Sequence, residues 1–158
     1  MAISGTYADG DAISFNDCIV EVDLTPSSSS WANIDSWATN ITVSGGDTPS
    51  TDSYTFTHTG AITFVGNRAP YDVTIECVYT EGTTDPFTAI NAAYNTSPGV
   101  LFDVRWVPAG TATTNQRYAT SGGRLMHVSQ PQGAADGSNA IIFDFMVKCS
   151  SITQEANT

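Results

Sequence analysis

The chain has 158 residues, 41% hydrophobic and 10% aromatic, enough to build one domain with its own core and too apolar for a disordered segment. Sixteen carboxylates stand against five basic side chains, a net charge of −11, and Lys148 is the sole lysine. Such a balance excludes a surface that captures nucleic acid or anionic membrane through Lys and Arg. Charged residues total 13%, about half the usual quarter, so the exterior is expected to be Thr, Ser, Asn and Gly dotted with carboxylates.

In chain order, residues 1–17 are small, polar and acidic, and read as an arm. Asp9, Asp11, Asn16 and Asp17 hint at a calcium loop, but the spacing is not that of an EF-hand and the terminal glutamate is missing, so a solvated acidic arm is the stronger reading. No basic region followed by an apolar run opens the chain, and no run reaches membrane-spanning length. Synthesis in a cytoplasm, with no membrane anchor, is the expectation.

A first strand is expected from Cys18 to Leu24. Trp31, Ile34 and Trp37 then recur every third residue, as in one tight helical turn. Asn40–Ser44 reads as strand. Ser44, Gly45, Gly46, Asp47, Thr48, Pro49, Ser50, Thr51, Asp52 and Ser53 contain nothing that anchors a core, and read as a mobile loop within 44–57. Tyr54–His58 and Ala61–Val65 are threonine-rich strand material.

From Tyr71 to Pro108 the pattern is strand, turn, helix, turn, strand, the centre of the fold. Val73, Ile75, Cys77 and Tyr79 alternate with Asp72, Thr74 and Glu76, the period of a sheet buried on one side. Asp85 can cap and Pro86 suits the first helical position, so a helix is expected over about 85–95, with Phe87, Ile90, Ala93 and Tyr94 on one stripe. Val100, Phe102, Val104 and Trp106 then alternate with Asp103 and Arg105. A hairpin follows around Gly122-Gly123, with Leu125 and Val128 in mixed phase. One long strand is expected from Ala140 to Ile152, its apolar face made by Ile141, Phe143, Phe145, Val147 and Cys149. Residues 153–158 read as a loose tail. The fold class is mainly β: a sandwich or split barrel of two sheets with one short flanking helix.

Chemistry is sparse. There are two histidines and no HExxH, CxxC, GxGxxG, phosphate-cradling GK[ST] or GxSxG. No catalytic residue, cofactor or metal site is expected. Cys18, Cys77 and Cys149 are far apart and read as buried free thiols. More informative are carboxylates set opposite the apolar stripes: Glu21, Asp23, Asp72, Glu76, Asp103 and Asp144. If these belong to one sheet, that sheet is acidic and threonine-lined. On an isolated domain it is a solvated face; in a closed ring it lines a channel along which DNA slides rather than sticks.

The stretches WANIDSWATNITVSGG, GNRAPYDVTIECVYTE with the short helix after it, VRWVPAG and IIFDFMVKCSSI, taken together, resemble the major tail tube proteins of long-tailed, siphovirus-type bacteriophages over about Ile19 to Ile152. The resemblance implies a structural virion protein assembled in the host cytoplasm into hexameric rings that stack into a tail tube. One sheet of each subunit would line a lumen for genomic DNA, with the six carboxylates as candidates to face it. The arm (1–17) and the loop at 44–57 would bridge neighbouring rings around a single domain, 18–152. Implied partners are further copies of the chain, the terminator, the tape measure and the baseplate. Arg105 and Lys148 depart from a purely acidic lumen. A tail-terminator or baseplate subunit shares the fold. The alternative from a different class is a carbohydrate-binding sandwich using exposed Trp31, Trp37 or Trp106; an enzyme has no motif behind it.

Overall fold

The computed structural model describes residues 17–54, 56, 60–82, 84–110, 112, 115–134 and 139–157. Most of the arm expected at 1–17, with the acidic residues that hinted at calcium, lies outside them. Half of the described residues are strand, and these residues form three sheets with one short helix and no closed barrel.

Eleven strands are numbered in chain order. The five-stranded sheet contains β1 (Ile19–Asp23), β2 (Trp31–Asn33), β7 (Asp103–Val107), β8 (Gln116–Ser121) and β11 (Ser151–Ala156), in the order β11-β8-β7-β1-β2. The four-stranded sheet contains β3 (Ala38–Gly45), β6 (Tyr71–Val78), β9 (Arg124–Val128) and β10 (Ile142–Cys149), in the order β3-β6-β10-β9. Every pairing is antiparallel. A separate two-stranded ribbon joins β4 (Ser50–Ser53) to β5 (Ile62–Val65).

The two large sheets face each other across a single core. Val20, Val22, Val104 and Trp106 come from one sheet; Val73, Ile75, Cys77, Leu125, Phe143, Phe145 and Val147 come from the other. Phe102 meets Phe145 edge to face at 5.7 Å. The alternation expected for residues 71–79 and 143–149 is therefore the inner face of β6 and β10. Their register runs without a break from Ile142 opposite Val78 to Cys149 opposite Tyr71.

The helix α1 (Pro86–Thr96) closes over the core where Ile90 is fully buried. Phe87 makes edge-to-face contacts with Tyr79 at 5.2 Å and Phe143 at 5.1 Å. Its start is as the sequence foretells. The Thr88 amide donates to Asp85 Oδ1 at 2.9 Å, the Thr88 hydroxyl donates to Oδ2 at 3.2 Å, and Pro86 follows the cap.

Four local expectations are corrected. Trp31 is not in a helical turn; it opens β2, and only Ile34 to Trp37 turn back, through the Trp37 amide to the Ile34 carbonyl at 3.0 Å. Residues 50–53 are β4 rather than loop, paired with β5, whereas Tyr54 and Phe56 lie outside strands and residues 55 and 57–59 lie outside the described residues. The long C-terminal strand is two strands: the chain leaves the four-stranded sheet after Cys149 and enters the other at Ser151, so residues 153–156 are strand rather than tail, while Ile141 is exposed. The hairpin expected around Gly122-Gly123 is a turn between sheets, since β8 pairs with β7 and β11 while β9 pairs with β10; the mixed phase of Leu125 and Val128 beyond it is a β-bulge. Val128 pairs with Phe145 and Leu125 with Val147, so the one extra residue on β9 lets both reach the core.

Asp85→Ala is expected to lower stability by about 1–2 kcal/mol in urea denaturation, with Asp85→Asn, which keeps a capping oxygen, costing a fraction of that. Equal losses would mean that the charge, not the cap, sets this end of the helix.

Candidate functional site

The six carboxylates do not share a sheet. Asp72 and Glu76 on β6 and Asp144 on β10 project from the outer face of the four-stranded sheet; Glu21 and Asp23 on β1 and Asp103 on β7 belong to the five-stranded sheet. Strand parity is visible in a sequence, but sheet membership is not.

On the four-stranded sheet the registers set cross-strand rows. One row runs Ser44, Asp72, Lys148, Arg124; the next Thr42, Thr74, Met146, His127; the third Asn40, Glu76, Asp144. Lys148 Nζ lies 3.1 Å from Asp72 Oδ1. That oxygen is sealed from water and accepts no well-angled hydrogen bond, so the ammonium charge is what compensates it. Glu76 Oε1 accepts from the Thr39 hydroxyl at 3.1 Å, and His127 Nε2 sits 3.9 Å from Asp144 Oδ2. Lys148 thus answers one acid, and Glu76 and Asp144, directly opposite each other, form the negative part of the face.

The other three carboxylates are occupied by the fold. Asp103 Oδ1 accepts from the Thr120 hydroxyl at 2.8 Å and the Gly123 amide at 2.7 Å, fixing the turn between β8 and β9. A Cβ at Gly123 would meet Val147 Cγ1 at 2.7 Å and Asp103 Oδ1 at 2.9 Å, so the turn needs glycine. Asp23 is 1% exposed and its Oδ1 accepts from the Thr25 amide at 2.8 Å. Glu21 takes both arms of the Arg105 guanidinium, Nε to Oε2 and Nη2 to Oε1, the latter at 3.1 Å. Arg105 also lies over the Trp31 ring, 4.3 Å from its centre.

The three indoles form no common platform. Trp31 is covered by Arg105, Trp37 donates through Nε1 to Thr80 Oγ1 at 3.1 Å, and Trp106 is buried and stacked on Tyr118.

The stretch expected as a loop at 44–53 leaves the sandwich as a ribbon. The β3–β6 pairing continues outward through Gly46 N to Pro70 O (3.2 Å), Ala69 N to Asp47 O (2.7 Å) and Gly66 N to Pro49 O (2.7 Å), and then becomes β4–β5. Gly45 and Gly46 have φ of +83° and +75° at the exit. A Cβ on the first would run into the Pro70 carbonyl oxygen and on the second into the Tyr71 ring. Among the described residues, β4 and β5 pair with each other and with no other strand.

All three cysteines are free thiols. Burial, with the Glu76 charge adding, pushes the Cys77 thiol up to about 12; burial, with Asp35 adding, pushes half-buried Cys18 up to about 11. Burial also raises Cys149. The folded chain therefore holds these protons more tightly than the unfolded chain does, whose thiols titrate at about 8.5. The resulting stability is complete below about pH 8.5 and is lost as pH rises toward the folded values of about 11 and 12. At pH 8 a thiol reagent should modify the native protein far more slowly than the urea-unfolded chain, and the urea midpoint should fall between pH 8 and 10. Prompt native modification of all three thiols would contradict their placement.

No known protein family matches the chain, and no curated protein matches it by sequence. Solved structures do match its fold. The sheath–tube complex of an extracellular contractile injection system (PVC) contains a chain with a TM-score of 0.66 at 15% identity, covering 96% of this chain and 99% of that one. The tube-terminating cap of the anti-feeding prophage gives 0.62 at 15% identity, over 99% and 96%. The tail of an empty gene transfer agent particle, refined with C6 symmetry, gives 0.58 at 11% identity, over 93% and 100%. This chain is thus similar in fold, from end to end, to components of phage-like tails and injection tubes.

Proposed function

We propose that this chain is a structural tail-tube subunit that assembles into stacked rings around a channel. The observation that carries the reading is the end-to-end fold likeness to a chain of a sheath–tube complex, with almost nothing left over on either side. The ring is taken as hexameric, in line with the C6 symmetry of the gene transfer agent tail. The siphovirus-type assignment rests on the sequence resemblance alone, since the similar structures include parts of contractile injection systems. Terminator, tape measure and baseplate proteins are the proposed partners, and the virion tail the proposed location.

The four-stranded sheet supports the channel wall best. Its strands β6 and β10 are eight residues each, without proline, and their outer face carries Thr74, Asp72, Glu76 and Asp144. On this reading Asp72, Glu76 and Asp144 face the lumen, while Glu21, Asp23 and Asp103 hold the five-stranded sheet together. Lys148 lies on the wall but is neutralised by Asp72. Arg124, in the same row, is exposed and donates to the Gly99 carbonyl, so a duplex passing such a wall meets few free cations and few phosphate contacts to break. The ribbon that begins at 44–53 is the inter-ring bridge.

Concentrated protein should form hollow tubes or stacked rings in negative-stain electron microscopy; a uniform population of isolated monomers at every concentration would sink the reading. Glu76→Lys with Asp144→Lys should still assemble but retain DNA at 50 mM salt and release it by about 200 mM, whereas the parent tube retains none. Equal DNA retention by both would remove this sheet from the channel.

A further inference from the structure

The ribbon and the residues at its tip carry large apolar side chains that stay exposed among the described residues. Phe64 is 55% exposed, Val65 70%, Tyr54 78% and Phe56 113%. The β4–β5 register places Phe64 opposite Thr51 and Ile62 opposite Ser53, on one face; Val65 with Ser50, and Thr63 with Asp52, occupy the other. The Phe64 face therefore contains no charge. A two-stranded ribbon without a third strand or a packing partner is marginal in water, so this one is built to be covered.

The same chain leaves an apolar groove open at one side of the sandwich, with a volume of about 360 Å³. It is lined by Val43, Tyr71, Trp106, Tyr118, Ile152 and Gln154. Trp106 and Tyr118 stack at 5.7 Å. No charged residue lines it either.

The ribbon does not fill its own groove: Val43 and Tyr71, on the groove wall, stand just before the exit at Gly45 and Gly46, whereas Phe64 is exposed and is not among the residues that line the groove. The two surfaces are matched but separate. Matched, separate patches on one chain join copies head to tail, the geometry of an open stack rather than a closed dimer. Electrostatics favours the same pairing. Two chains of −11 repel over most of their surfaces, and an uncharged ribbon face meeting an uncharged groove is where they approach without that penalty.

We propose that the ribbon of one copy seats Phe64, flanked by Ile62, in the groove between Val43, Trp106, Tyr118 and Ile152 of a second copy. This rests on the tube reading for its setting and adds the acceptor site that the ribbon engages.

The test mixes two full-length variants in a Cys18→Ser background, one Phe64→Cys and the other Gln154→Cys, under mild oxidation, with electron microscopy of the same samples. The expected result is a cross-linked species in the mixture that neither variant forms alone. Tubes without that cross-link would overturn the groove docking and leave the tube reading standing. The cross-link without tubes would uphold the docking and overturn the tube reading; neither product would overturn both. As a second measurement, Phe64→Asp should keep the parent's thermal midpoint, because the side chain is exposed, yet raise the concentration needed for assembly about tenfold or more. An unchanged assembly concentration would also overturn the docking.

Discussion

The structure depends on the strict alternation of β6, held between β3 and β10. Val73, Ile75 and Cys77 are completely buried, and Asp72, Thr74 and Glu76 take the other side. Because the period is two, a slip of one residue would send the carboxylates into the core and the aliphatic groups to solvent. Uncompensated carboxylates in that core would cost several kcal/mol each, so the burial of one face is also what specifies the other. Everything with a proposed role hangs from this strand. The outer face carries Glu76 opposite Asp144, Tyr71 at its start lines the groove, and Pro70 just before it accepts the first hydrogen bond of the ribbon.

The ribbon is a consequence of the same pairing rather than an appended loop. The β3–β6 ladder does not stop where the sandwich stops; two glycines with positive φ turn it outward. Side chains there would collide with Pro70 and Tyr71, so the bend is dictated by backbone and needs no contact from the ribbon itself. This permits β4 and β5 to leave Phe64 and Val65 exposed among the described residues. A domain whose core is complete can present such a surface without losing its own stability.

How much of this was legible in the residues follows from what each signal encodes. The strand at 71–78, the Asp85-Pro86 helix start and the apolar face of 143–149 were readable because period and cap chemistry are local. Trp31 misled because three-residue spacing imitates a helical turn while a three-residue strand is too short to show a period. The crossover at Ser150 did leave a mark: Cys149 and Ile152 are both covered, in different sheets, but their odd spacing breaks the period of two between them. The phase break at Leu125 and Val128 did mark the bulge on β9. For the carboxylates, parity set them apart from the apolar residues of their strands but did not foretell that Asp23 would be buried. Which sheet each strand joined depended on pairings between residues far apart in the chain, such as Glu21 with Arg105 and Glu76 with Asp144, that no local pattern records.

The shortage of bases takes on meaning when each base is followed to its partner. Arg105 is held by Glu21, Arg117 by Glu155 and Lys148 by Asp72; Arg68 donates to the Tyr71 hydroxyl and Arg124 to the Gly99 carbonyl. Partly exposed ion pairs at a protein surface typically contribute about 0–1 kcal/mol to stability. Their larger effect is on the field outside the protein. Every guanidinium and ammonium has an internal partner, three of them carboxylates, while Asp47 and Glu81 are exposed and Glu76 and Asp144 remain partly open. A polyanion near such a surface finds repulsion at long range and few unengaged donors at short range. Under the proposed channel role, engaging the few cations internally serves the same end as adding acids, and that proposal fits a composition in which carboxylates are ordinary in number and lysine is almost absent.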